Sequence, residues 1–187
     1  MRLSLTRDVK VPVRAHPNDA GMDFYVPAFD EQFLADLRKK NEQEILANNI
    51  EVTSDSIVLK PQGRILVPAG VHVDLDSLAN LVADNQGAEP DELRAGVALL
   101  VHNKSGVGSK KGLDRLAEVI DQPYQGEVHL NLVNTGTVDQ TIVAGDKLVQ
   151  MLLIPVFYSQ PKVVPFTELY ASESDRGTTG FGDSDKK

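Results

Sequence analysis

The sequence predicts an all-β fold, a barrel or jelly-roll-like sandwich interrupted by two helix-containing segments. Three observations carry this expectation. Short runs of β-branched and aliphatic residues recur at close spacing, at Ser56–Lys60, Arg64–Val67, Val71–Leu75, Gly96–Val101 and Lys147–Val156. Pro and Gly stand at the corners between them, at Pro61-Gln62-Gly63, Pro68-Ala69-Gly70 and Gly145, where tight antiparallel connections need them. Helical patterning is confined to two stretches, about 30–55 and 76–95.

In chain order, residues 2–13 alternate well enough for a first strand, with Leu3, Leu5, Val9, Val11 and Val13 apolar. The turn-rich run from Ala15 to Gly21 then enters a short strand carrying Asp23, which reads locally as a turn acid facing water. Asp30 is placed to cap an amphipathic helix whose apolar residues are Phe33, Leu34, Leu37, Ile45 and Leu46, with a break near Lys40-Asn41. That stripe reads as core-facing, with a protein partner at the insertions as the second reading. His72 has no metal-ligand spacing around it and reads as an exposed strand residue. Short helical pieces fit 76–94, with Pro90 near a helix start.

Val119-Ile120, the turn residues Gln122-Pro123 and Gly126, and the alternation from Val128 to Val133 read as strand, tight turn, strand. This sets Asp121 at a strand end with the ring of Tyr124 three residues on. An acid beside an aromatic ring suits proton transfer next to a small planar ligand. Upstream, Lys104-Ser105-Gly106-Val107-Gly108 brings a cation, a hydroxyl and backbone amides to a glycine-permitted turn, a chemistry that fits phosphate oxygens. Its glycine spacing is not that of a Walker loop.

From about Phe166 the periodicity is lost, and 166–187 is expected to be a flexible, glycine-rich C-terminal arm following a domain of residues 1–165. The arm holds Arg176 and Phe181, a guanidinium and a ring that would clamp phosphates and a base on closing.

Composition excludes other classes. The 187-residue chain carries a formal net charge of -8 and a pI of about 4.9, which argues against a general nucleic-acid or anionic-membrane binder. With no cysteine there is no disulfide, thiolate metal site or thiol nucleophile. No apolar h-region or membrane-length run is present, so a cytosolic location is expected. No fixed-period repeat points to a solenoid.

Five short motifs, in order, resemble those of the trimeric all-β dUTP diphosphatase (dUTPase) family. They are Ala20-Gly21-Met22-Asp23-Phe24, Lys104 to Gly108, Val119 to Glu127, Gly145 to Met151, and Arg176 to Gly182. Segments 30–55 and 76–95 fall outside the resemblance and look like insertions into its distorted jelly-roll-like barrel. The resemblance implies hydrolysis of dUTP to dUMP and diphosphate with Mg²⁺ on the triphosphate, in a homotrimer with shared sites. It makes Asp121 the general base and Tyr124 the ring that excludes a ribose 2′-hydroxyl. The backbone at Val119 and Ile120 would read uracil. Lys104, Ser105, Gly106 and Gln150 would meet phosphates, and Asp23 would hold a water of the Mg²⁺ shell. Arg176, Phe181 and Gly182 would close over the nucleotide.

Lys104 stands where the family usually has arginine, Glu118 where it has glycine, and Arg115 about where many members have asparagine. Asp183 and Asp185 add negative charge to the tail's end. A dCTP deaminase, which shares the barrel, is the nearest alternative. Its proton-shuttling glutamate would fall at Asn131, which cannot shuttle a proton. A trimeric regulatory protein with secondary catalysis is the other alternative.

Overall fold

The computed structural model describes residues 1–79, 94–174 and 177. Among these, the alternating segments form twelve strands: β1 Arg2–Leu5, β2 Met22–Tyr25, β3 Ile50–Val52, β4 Ser56–Leu59, β5 Arg64–Pro68, β6 Val71–Asp74, β7 Arg94–Asn103, β8 Leu113–Arg115, β9 Val119–Ile120, β10 His129–Asn134, β11 Gln140–Val143 and β12 Lys147–Tyr158. They pair antiparallel in small sheets, ordered β1-β6, β5-β10-β8, β11-β4-β3 and β2-β12-β7-β9. This is the all-β, jelly-roll-like arrangement expected. Alternation turns Ile57, Leu59, Ile65, Val67, Leu130 and Leu132 inward to one shared core.

Two sequence expectations change. The first strand stops at Leu5; Val13 makes only an isolated bridge to Asp23, and Arg7 between them turns inward to ion pairs. The segment around Asp121 is a turn, with Tyr124 N–H donating to Asp121 O at 3.0 Å, but its flanks do not pair with each other. Strand β9 pairs with β7, whereas β10 pairs with β5 and β8. The turn chemistry was local, while the strand partners were set by distant burial.

The 30–55 segment does contain helices, α1 Glu31–Lys40 and α2 Glu42–Leu46. Asp30 caps α1 through its side chain, 2.7 Å from Phe33 N, and three basic residues close its last turn. Asn41 breaks the helix as anticipated. Its amide donates to Leu37 O (2.8 Å) and Leu66 O (2.9 Å) and accepts from Leu66 N (2.8 Å), stitching the break to β5. Phe33 and Leu37 are fully buried, each contributing about 1.5–3 kcal/mol, and Leu34 and Ile45 pack partly against the same core; Leu46 does not join them and is 80% exposed. From 76–95 the structure describes only α3, Asp76–Ala79, and the start of β7.

Candidate active site

Two polar centres lie on the sheet β2-β12-β7-β9. The first gathers residues from three of the motifs. Asp23 on β2 stands opposite Gln150 on β12, which stands opposite His102 on β7. Asp23 is not a turn acid in water: it is a strand residue with 4% exposure. One carboxylate oxygen is bonded by Lys104, just past β7, and the other lies 3.0 Å from Lys147 Nζ. Burial pushes the Asp23 carboxyl up, but the hydrogen bonds and charges of Lys104 and Lys147 outweigh it and hold it below the usual range. Gln150 donates to Asn103 O at 3.0 Å.

The Lys104–Gly112 stretch is not an open loop but winds into a helical turn, π-helical over Val107–Lys111. Gly112, at φ 65°, ends it; a side chain would be strained there. Ser105 and Gly106 are exposed at the turn's leading end, where helical geometry leaves N–H groups without intrahelical acceptors.

The second centre surrounds Asp121. As an edge strand, β9 leaves one row of backbone groups unpaired within the sheet. A cavity of about 230 Å³ is bounded by Val119, Ile120, Asp121 and Tyr124, with Val101, Val128, His129 and Asn131 behind them. The Tyr124 hydroxyl donates to Glu127 O at 2.9 Å. Its ring lies across Gly126 so closely that a Cβ there would stand 2.5 Å from Cζ. A second cavity, about 580 Å³, opens beside the same tyrosine between β1, β6 and Gln122, but Asp121 does not line it. The smaller cavity therefore holds the acid and the ring together.

A family model for dUTPase matches residues 92–185. Over 138 residues the chain is 31% identical to the deoxyuridine 5′-triphosphate nucleotidohydrolase of Shewanella halifaxensis (strain HAW-EB4), spanning 73% of this chain and 77% of that one. The chain belongs to the dUTPase family. The Stutzerimonas stutzeri (strain A1501) nucleotidohydrolase is 30% identical over 182 residues, 96% of this chain and 90% of its own. In fold, this dUTPase-family chain superposes on a mutant Staphylococcus bacteriophage 80alpha dUTPase with dUpNHpp at a TM-score of 0.65, with 19% identity over 98% of this chain and 96% of that one.

Within this family member the expected site residues do not all meet. Asp23, Lys104, Ser105 and Gln150 gather at the Asn103 end of β7, whereas Val119 and Ile120 pair with its middle, at Leu100 and Leu99, and lead into Asp121 and Tyr124. Arg176, Phe181 and Gly182 lie outside the described residues. The family departures at Arg115 and Glu118 compensate each other in an ion pair at 2.6 Å, and Arg115 Nε also donates to Val101 O.

Lys147, the second ammonium on Asp23, is a residue that sequence reasoning passed over; its signal was the strand register that sets β12 against β2. Asp23 does not fit as a direct ligand of a resident Mg²⁺. Each of its oxygens already has an ammonium partner, and no cluster of three metal-ligating side chains occurs among the described residues.

Proposed function

We propose that the chain hydrolyses dUTP to dUMP and diphosphate, with the Asp121 cavity as the nucleoside end of the site. The observation that carries this reading is the shared boundary of that cavity: an acid, a sugar-sized ring and an unpaired strand edge. Uracil presents one N–H donor between two carbonyl acceptors, and the backbone of Val119 and Ile120 offers complementary groups. Tyr124 packs against the deoxyribose where a 2′-hydroxyl would need to fit.

Asp121 accepts a proton from water as the water oxygen bonds to the α-phosphorus; the bond to the bridging oxygen breaks, and diphosphate leaves with that oxygen. Lys104 has three N–H donors, so it keeps Asp23 and still offers hydrogen bonds to a phosphate. Ser105, Gly106 and Gln150 complete the phosphate contacts. From the sequence alone, Arg176 meets the terminal phosphates, Phe181 covers the base and Gly182 lets the arm close. Mg²⁺ arrives with the triphosphate, which accounts for a metal-dependent reaction without a protein cage. A soluble nucleotide substrate is in keeping with a cytosolic location.

The distance along β7 favours a homotrimer with shared sites. Ile120 pairs with Leu99, and Asn103 lies four residues further on, about 13 Å away. A base at Asp121 cannot serve a phosphorus held beside Ser105 of the same chain, so one copy's Asp121 serves the phosphate end of another. Exposed Leu153, Phe157, Tyr158, Phe166 and Tyr170 on and after β12 supply apolar surface for assembly.

The test uses Asp121→Asn and Gln150→Ala, each assayed for diphosphate release from dUTP, dCTP, dTTP and UTP. Mixed, unfolded and refolded together, the two weakened variants are expected to regain activity on dUTP. Mixtures no more active than the separate proteins would place the whole site in one chain, and release from dCTP matching dUTP would overturn the base assignment.

A further inference from the structure

A hydrogen-bonded path runs from the inserted helix α1 to Tyr124. The Glu127 carboxylate accepts from Arg7 Nε (2.7 Å), Arg7 Nη2 (3.0 Å) and Gly70 N (2.7 Å). Arg7 Nη2 also donates to Asp36 on α1 at 2.7 Å, and Arg7 lies 6.0 Å from the centre of the Phe33 ring. At the other end of residue 127, its carbonyl oxygen accepts from the Tyr124 hydroxyl and lies 2.7 Å from His129 Nδ1. The side chains of Arg7 and Glu127 are 9% and 15% exposed.

We propose that Arg7 is a positioning residue for sugar selection, bracing Glu127 against α1 so that the tilt of the Tyr124 ring is fixed. A buried ion network of this kind adds little stability over apolar packing. What it does supply is geometry, because a guanidinium fork grips a carboxylate at two points and cannot swivel as an ammonium does. The fork fixes the backbone at residue 127, and that backbone holds the only polar side-chain atom of Tyr124. Gly126 leaves the ring room to lie across it, where a Cβ would stand 2.5 Å from Cζ. Rejecting a single hydroxyl demands placement to a fraction of an ångström, which a ring on an unbraced turn does not keep. The inserted helix thereby becomes part of the specificity device.

The proposal rests on the reading of Tyr124 as the sugar-facing wall, and the experiment separates the two. The readout is the ratio of kcat/KM for dUTP to that for UTP, measured on one preparation so that any unfolded fraction cancels. Arg7→Lys and Glu127→Gln are expected to lower this ratio about tenfold or more, and Asp36→Asn, at the exposed end of the path, to lower it less. Tyr124→Ala is expected to collapse it. A ratio within twofold of the parent in Arg7→Lys, Glu127→Gln and Asp36→Asn, with Tyr124→Ala collapsed, would overturn the role of Arg7 alone. An unchanged ratio in Tyr124→Ala would overturn both.

Discussion

Gln150 lies against Gly21 so closely that a Cβ on the glycine would stand 2.5 Å from the glutamine Oε1 and 3.0 Å from its Cβ. The pair joins the loop before β2 to the middle of the phosphate end, because Gln150 also holds Asn103 O. Gly21→Ala is therefore expected to displace the Gln150 amide and to lower kcat/KM for dUTP about tenfold, with the barrel intact by circular dichroism. Kinetics matching the parent would show that Gln150 does not contact substrate.

Asp121 is exposed at the mouth of its cavity, with no side-chain partner bond among the described residues to hold its shape. Asp121→Asn keeps size and polarity but cannot take a proton. Turnover is expected to fall on the order of 10²- to 10⁴-fold, while a non-hydrolysable dUTP analogue binds within a few-fold of the parent by calorimetry. Residual turnover close to the parent's would remove the acid from the reaction.

Asn41 is 5% exposed and satisfies both Leu37 O and the backbone of Leu66. Asn41→Ala leaves the part-buried Leu66 N–H without its acceptor, at a cost of about 1–3 kcal/mol. Urea titration measures this directly. A loss below a few tenths of a kcal/mol would mean that α1 is not anchored to β5 through this residue.

Burial, reinforced by the charge of Lys40, pushes the His129 imidazole below its ordinary value, against the bond and charge of Glu127. The native state therefore prefers the neutral ring. Its contribution to stability is complete above the unfolded value of about 6.5 and drains away as pH falls from there through the lower folded value. His129→Gln is expected to flatten that decline in urea midpoints as pH falls below about 6.5. Identical slopes in the two proteins would refute the assignment.

Legibility in the sequence followed locality. The Asp30 cap and the turn at Asp121 depend on neighbours three residues away, and both read correctly; the break at Asn41 was also legible, but not its anchor at Leu66, 25 residues on. Partners of β9 and β10 did not read correctly, because pairing is settled by which faces find burial across the whole chain. Asp23 looked solvated for the same reason: Lys104, one of the two lysines that neutralise it, is 81 residues downstream. Arg7 sat unnoticed inside an alternating run, since its fork closes on Glu127, 120 residues away. The family motifs named Asp23, Lys104 and Gln150, which the structure brings together, but not Lys147 or Arg7.

Strand β7 also bears on what a single newly made copy can do. With Asp121 following a strand paired to the middle of β7 and Lys104 and Ser105 lying just past its end, a lone chain would hold two halves about 13 Å apart. Under the divided site proposed above, more nucleotide cannot rescue it; only an encounter with its own kind can. Catalytic output then rises more steeply than protein concentration at low expression, and dilution alone is enough to silence the enzyme. The cell would obtain a threshold from nothing more than the spacing of two groups along one strand.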